Sequence, residues 1–377
     1  MIARDIFPEM ILGVSEKHKE GIVMTRTSDK GETVVEVGEA HSPEAVCLLA
    51  INEIDYGRFF SGRIGDRLYD LLPGLRRLPE EAFERSEFER FLVQCNPEIL
   101  VTAWSSPLVP ADFLGRPGSR LHYVCNVTGG LRQCIPRQLM EEGLLVSNWG
   151  SAVSHFVAEG GLALLLELLR DSRRISKQMH EERFWQHGLL VDTLFGKRVG
   201  FHGFGNTAKE LVRLLRPFRV SFAAYDPYVK PSVFEEFGVK RVERLQSLFS
   251  ENDVLFELAA LTDESCSTVT EEMLRSIPEN GVFINVGRAA VVNEEGLINV
   301  ALEGKLRVGL DVFHREPIPD DYPLCGLFNV AMTPHSSGAT RETHRVCGEY
   351  ALANIERWLK GEEVVSIVGL DQYDLMT

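Results

Sequence analysis

The sequence has no excess of positive charge, no long uninterrupted apolar run and no closely paired cysteines. Each absence removes a class of function. With 40 Lys and Arg against 55 Asp and Glu the formal net charge is −15, whereas nucleic acid and anionic membranes both reward a basic surface. Neither is expected as a main partner. A small anionic ligand remains compatible, because it responds to the local field of a cleft. The most apolar stretch, Gly160 to Leu169, is interrupted by Glu167 and is too short to span a bilayer. The opening residues MIARDIFPEMILGV carry charges inside the apolar stretch and do not read as a signal peptide. The seven cysteines (47, 95, 125, 134, 266, 325 and 347) are scattered without a C-x-x-C pair. That pattern suits free, buried thiols in a reducing compartment. The cytoplasm is the expected location. No metal set is evident: His155 and Glu159 have i, i+4 spacing but no third or fourth ligand.

What is present is ordinary globular material. The 377 residues, 44% hydrophobic and 25% charged, predict about two domains with sizeable cores. Residues 1 to about 40 carry no assignable pattern. Ala45 to Ile51, Ile99 to Ala103 and Leu121 to Cys125 read as strands with helical patterns between them, which predicts a compact α/β unit. Ala158 to Arg170 reads as a long buried or interface helix. A charged stretch, Asp171 to Arg183, leads to Phe184 and Trp185, either an aromatic arm at a dimer interface or a segment packed on its own domain. From Gly196 the pattern alternates. Arg198–His202, Val220–Tyr225, Val254–Leu258, Val282–Val286, Val308–Phe313 and Val330–Met332 read as strands, and helical segments separate most of them. Such alternation predicts a parallel, doubly wound sheet of the Rossmann type. The stretch from Thr343 to Lys360 reads as one more amphipathic helix.

Gly203-Phe204-Gly205-Asn206-Thr207-Ala208 follows a strand and opens a helix whose Ala208, Leu211, Val212 and Leu215 share one face. In that context G-x-G-x-x-A is a dinucleotide loop. Gly203 permits the tight turn, Gly205 lets the backbone approach a pyrophosphate, and Ala208 lets the helix pack closely on the strand. The helix N-terminus offers N–H groups and positive dipole to the phosphates. Asp226 ends the next strand. A carboxylate there can accept hydrogen bonds from the adenosine ribose and repels a 2′-phosphate, which predicts NAD over NADP. The plainer account of Asp226 is a turn aspartate before proline.

Three polar residues follow later strands, at the edge where doubly wound sheets place ligands: Arg288, Glu316 and His335. Reduction of a 2-keto acid needs a fork-shaped cation for the carboxylate and keto oxygen, which suits arginine. It needs a proton donor near neutral pKa, which suits histidine. It also needs a carboxylate to orient that histidine and support its protonated form. Each residue alone has a bland account as a surface or loop residue. Their joint placement beside a dinucleotide loop predicts a hydride-transfer site. His202, at the end of the first strand, is expected to pack beside the glycine loop, and His314 to point away from Glu316.

The stretches GKRVGFHGFGNTAKEL, AYDPY, INVGRAAVVNEEGL, GLDVFHREPIP and TPHSSGAT resemble the D-isomer-specific 2-hydroxy acid dehydrogenases. That family includes phosphoglycerate dehydrogenases and hydroxypyruvate or glyoxylate reductases. The resemblance is densest from about Gly196 to Thr340. It implies a smaller, flavodoxin-like substrate domain, residues 1–154 with a returning helix in 344–377, and an inserted NAD-binding domain, residues 155–343. It implies a homodimer. It implies that Arg288 binds a small anionic 2-keto or 2-hydroxy acid, that Glu316 pairs with the acid/base His335, that Asp311 contacts the nicotinamide amide, and that the loop Thr128-Gly129-Gly130 holds the substrate carboxylate. Two places depart from the family pattern. Arg132 stands where an Asp is common, and could favour a more acidic substrate or be structural. Leu258-Ala259-Ala260 lacks the usual His and Pro beside the nicotinamide. A competing reading is an NAD-sensing or corepressor-like scaffold on the same fold. A formate dehydrogenase reading is disfavoured by Glu316, because its relatives pair the histidine with Gln.

Overall fold

The computed structural model describes residues 25–27, 33–35 and 45–376. The other residues of the opening segment, for which composition predicts no element, lie outside the described part. The strands Thr25–Thr27 and Thr33–Val35 pair antiparallel, and Thr33–Val35 also pairs antiparallel with Val364–Val365.

Two parallel sheets carry the fold. The first runs Arg76–Arg77, Cys47–Leu49, Ile99–Thr102, Tyr123–Asn126, Leu145–Ser147 across space. In chain order that is 2-1-3-4-5, the flavodoxin-like arrangement. The second runs Lys240–Arg241, Ser221–Tyr225, Arg198–His202, Val254–Glu257, Val282–Asn285, Arg307–Leu310, Val330–Met332. Its order, 3-2-1-4-5-6-7, is the Rossmann order extended by one strand. The direction of winding reverses between Arg198–His202 and Val254–Glu257, so a crevice opens at their carboxyl ends.

The strands are short and mostly buried on both faces, as covered parallel sheets require. Several helices start where a side chain satisfies a free backbone donor. Asn52, Asn293 and Thr340 accept from the N–H groups of Asp55, Gly296 and Thr343. The helix Ser154–Arg170 buries Ala158, Gly161, Leu164, Leu165, Leu168 and Leu169 along one stripe. It lies on the helix Asn206–Leu215 and on the last three strands of the larger sheet. The helix Arg341–Leu359 instead packs on Glu53–Phe59, Arg63–Leu71 and Tyr123–Asn126. Its Cys347, Ala351, Leu352, Ile355 and Trp358 complete the core of the smaller sheet. The chain therefore passes between the two sheets twice, near Ser154 and near Thr340.

The structure corrects some readings of the sequence in detail and decides between the two open accounts of Phe184 and Trp185. The strand read as Val308 to Phe313 stops at Leu310: Asp311 still donates its N–H to the Asn285 carbonyl, but its own carbonyl takes the His335 N–H of the following loop. Phe184 and Trp185 are 51% and 67% exposed, so they are not packed on the domain that carries them. Five cysteines are buried, but Cys266 and Cys325 are exposed. Among the described residues, no helix is long and apolar enough to cross a membrane.

Trp358 is 2% exposed and stacks on Tyr123 with ring centroids 5.9 Å apart. Trp358→Ala should destabilise the protein by about 3–5 kcal/mol, the usual range for emptying such a site, as measured by denaturant unfolding. A loss below about 1 kcal/mol would mean the returning helix contributes little to that core.

Candidate active site

The dinucleotide loop is built by the exit of Arg198–His202. Gly203 has φ +84°, and its N–H donates to the Tyr225 carbonyl at 2.9 Å. A Cβ there would lie 2.7 Å from the Ala259 nitrogen, so both the conformation and the space demand glycine. Gly205 is extended, and a Cβ on it would meet nothing within 4 Å. The helix it opens has no side-chain cap, so its first N–H groups are available to a ligand. Gly205 and Asn206 are exposed, Thr207 is half-buried and Ala208 is buried against the sheet. This open, uncapped cradle fits a pyrophosphate. Asp226 does more than the sequence suggests. Its Oδ2 accepts from Phe204 N–H at 2.8 Å, and its Oδ1 from Tyr228 and Val229 N–H at 2.9 and 3.3 Å. It ties the glycine loop to the second strand and keeps a lone pair on Oδ2 for a ribose hydroxyl.

The polar residues after the later strands come together. His335 Nδ1 lies 2.8 Å from Glu316 Oε2. Glu316 Oε1 accepts from Phe313 N–H at 2.9 Å. Burial acts to raise the Glu316 pKa, but the hydrogen bonds from His335 and Phe313 and the charges of His335 and Arg288 outweigh it. The carboxyl sits below its ordinary value. With Nδ1 engaged, His335 Nε2 is the nitrogen left for a substrate. His335 itself has φ +52°. Its N–H donates to the Asp311 carbonyl at 2.8 Å. Asp311 is buried, and its carboxylate takes the Thr333 hydroxyl at 2.6 Å and the N–H groups of Ser336 and Ser337 at 2.8 and 3.0 Å. Arg288 is placed by Asn285, whose side chain accepts from Gly287 N–H at 3.0 Å and donates to the Arg288 carbonyl at 3.2 Å. Desolvation lowers the Arg288 pKa against the pull of Glu316, and the guanidinium stays charged.

The facing loop belongs to the smaller sheet. Asn126, buried, donates to the carbonyls of Thr128 and Gly130 at 2.7 and 3.1 Å. Thr102 holds Asn126 Oδ1 at 2.9 Å. Asn148 Nδ2 donates to the Gly129 carbonyl at 2.9 Å. The carbonyls are thereby turned inward, and the N–H groups of Gly129 and Gly130 have no acceptor among the described residues. Trp149 lies against Gly129, where a Cβ would meet its ring nitrogen at 2.6 Å. Trp104, Trp149 and His344 form an edge-to-face cluster beside it. Arg132 is exposed, and its guanidinium donates to the Met376 carbonyl at 3.2 Å.

Sequence spacing missed Asn126, Thr102, Asn148 and the tryptophans, because their partners lie on other strands. It also missed that His202 is 6% exposed and paired with Glu257. His314 points elsewhere, to the Val292 carbonyl at 3.0 Å. No group of three potential metal ligands occurs among the described residues.

A Rossmann sheet with an open glycine cradle, and a histidine–carboxylate pair at its carboxyl edge, defines a dinucleotide-dependent oxidoreductase. Residues 162–337 match the model of the NAD-binding domain of D-isomer specific 2-hydroxyacid dehydrogenases. The chain is 29% identical over 231 residues to D-3-phosphoglycerate dehydrogenase of Methanocaldococcus jannaschii, covering 61% of this chain and 44% of that one. It therefore spans less than half of that relative. It is 30% identical over 233 residues to hydroxypyruvate reductase of Blautia hydrogenotrophica, covering 59% of this chain and 71% of that one. A crystal structure of a glyoxylate reductase from Paecilomyes thermophila superposes with TM-score 0.74 at 21% identity, over 88% of this chain and 100% of the other. The chain belongs to the D-isomer specific 2-hydroxyacid dehydrogenase family, whose members are nicotinamide-dependent oxidoreductases of 2-hydroxy acids.

Glu316 stays ionised below the usual carboxylate range, so its bond to His335 is lost only as pH falls through that depressed value. In His335→Ala the opposing hydrogen bond and charge are gone and burial acts with less opposition. The Glu316 carboxyl should then titrate at higher pH by 13C NMR, and an unchanged midpoint would mean that His335 does not hold it.

Proposed function

We propose that the protein is an NAD-dependent dehydrogenase acting at C2 of a small D-2-hydroxy acid. The observation that carries this reading is the His335–Glu316 contact with Nε2 left open, beside the cation of Arg288. Bound nicotinamide supplies or accepts the hydride at C2. Arg288 forks onto the carboxylate and keto oxygen and polarises the carbonyl. The N–H groups of Gly129 and Gly130 hold the substrate carboxylate. His335 Nε2 gives its proton to the keto oxygen in reduction and takes it back in oxidation. Glu316 fixes the tautomer through Nδ1 and supports the imidazolium. Asp311 Oδ2, occupied by a single backbone donor, has room to accept from the nicotinamide amide.

In this reading residues 1–154 with 344–377 form the substrate-binding domain and residues 155–343 the cofactor domain. Gly203, Gly205, Asn206, Thr207 and Ala208 cradle the pyrophosphate, and Asp226 selects NAD by repelling a 2′-phosphate. A second copy of the chain covers the arm carrying Trp185, Leu190 and Phe195, which are 67%, 92% and 58% exposed. The free thiols suit the cytoplasm.

The test is NADH oxidation by the purified protein with hydroxypyruvate, glyoxylate, pyruvate, 2-ketoglutarate and phosphohydroxypyruvate. Turnover with one of them supports the reading; silence with NADH bound would favour an NAD-sensing scaffold. His335→Ala should lower turnover roughly 100-fold or more with NADH binding nearly unchanged, and rates near wild type would remove it as the acid. Asp226→Ser should narrow the preference for NAD over NADP. It should also weaken both cofactors, because the Phe204 N–H loses its acceptor. An unchanged NAD/NADP ratio would exclude Asp226 from selection.

A further inference from the structure

The strand reversal of the larger sheet holds two titratable side chains that the reaction does not use. His202 is 6% exposed and Glu257 is not exposed at all. They face each other on paired strands, Glu257 opposite His202 in register, with His202 Nδ1 2.6 Å from Glu257 Oε2. Burying such a pair is costly unless its remaining valences are satisfied. Here they serve the backbone around the cofactor loop. Glu257 Oε1 accepts from Ala259 N–H at 2.9 Å, and the His202 carbonyl accepts from Leu258 N–H at 2.8 Å. The glycine turn rests on this same segment, where a Cβ on Gly203 would lie 2.7 Å from the Ala259 nitrogen and 2.8 Å from the Leu258 carbonyl carbon. The Arg288 turn rests on it from the other side. A Cβ on Gly287 would lie 2.9 Å from the Glu257 carbonyl oxygen and 3.0 Å from the Leu258 Cα. A shift of the Leu258–Ala259 peptide would disturb the dinucleotide loop and the arginine turn together.

We propose that the His202–Glu257 ion pair is a positioning element of the dinucleotide site, clamping the Leu258–Ala259 peptide beneath the glycine turn and compensating the Glu257 charge near the pyrophosphate. The proposal rests on the reading that Gly203–Ala208 binds the pyrophosphate.

The charges around His202 set the sign of the effect. Glu257 faces it from the next strand, and Asp226 and the Tyr225 ring from the strand on the other side. The helix Leu245–Glu251 packs on Ser221–Tyr225 and on the strand that ends at His202, and its one charged residue, Glu251, pairs outward with Lys240. Beyond Glu257 the register brings Asn285, which is uncharged. Burial acts to lower the His202 pKa, but Glu257 and then Asp226 outweigh it and raise the value above that of a free histidine. The paired state is therefore complete on the acid side and lost as pH rises through the raised value. Above it, Glu257 and Asp226 are two carboxylates with no histidine charge between them, close to the doubly anionic pyrophosphate.

The experiment is NADH binding, followed by fluorescence or calorimetry between pH 6 and 10, on the full chain without substrate. The wild type should bind roughly five- to tenfold more weakly on the alkaline side, the scale of one unpaired charge at partly screened distance. Glu257→Gln keeps an acceptor for Ala259 N–H and removes the charge. It should show the acid-side affinity throughout. The double variant His202→Leu, Glu257→Met fills the space with apolar groups, which commonly preserves stability. It should bind NADH more weakly at every pH, with no pH dependence. A flat wild-type profile, a Glu257→Gln profile that still falls, or a double variant that binds like wild type would each overturn the proposal. Failure of the wild type to bind NADH at any pH would instead overturn the dinucleotide reading itself.

Discussion

Asp311 is the buried carboxylate that the placement of His335 and the chain path both depend on. A carboxylate so removed from water is tolerated only when donors surround it, and its donors are the Thr333 hydroxyl and the N–H groups of Ser336 and Ser337. Meeting that demand folds residues 333–337 into one conformation. His335 is thereby held in the left-handed region, which costs about 1–3 kcal/mol for an ordinary side chain. The same loop delivers the chain to Thr340, which caps the helix returning to the smaller sheet. One carboxylate thus sets the direction of the histidine and the point where the chain crosses back.

The two sheets have complementary tasks. The larger offers a helix N-terminus without a cap, a carboxylate tied to the glycine loop and the polar residues of three strand exits. The smaller offers backbone donors, exposed because Asn126 and Asn148 occupy the carbonyls of their loop. In both sheets the parallel winding forces every exit to one edge. Residues far apart in the chain, such as Gly203, Leu258 and Gly287, therefore meet as backbone against backbone.

Much of the architecture was legible. The stripe Ala208, Leu211, Val212, Leu215 is buried as its spacing implies, and the alternation after Gly196 is the parallel sheet. Strand ends were less legible. Ala45 to Ile51 is one apolar run, yet only Cys47–Leu49 is in the ladder, because a strand buried on both faces has no period to mark where pairing stops. The aromatic arm was visible in composition, but whether it is exposed or packed on its own domain was left open. Arg288, Glu316 and His335 stood out by residue type after strands. The role of Asn126 did not, since an asparagine ending an apolar strand carries no local sign that it organises a loop.

The sequence by itself determined the α/β alternation and the glycine loop, because these depend on local spacing: the period of apolar residues, a glycine that must turn, a helix that must begin; the family followed from the resemblance of whole stretches. Only the tertiary structure decided which polar groups share a proton or a backbone donor. His335 with Glu316 is separated by 19 residues, while His202 with Glu257 is separated by 55. The first pair could be guessed from chemistry. The second exists only because parallel winding lays the first and fourth strands of the sheet side by side, and burial then makes a contact between them matter.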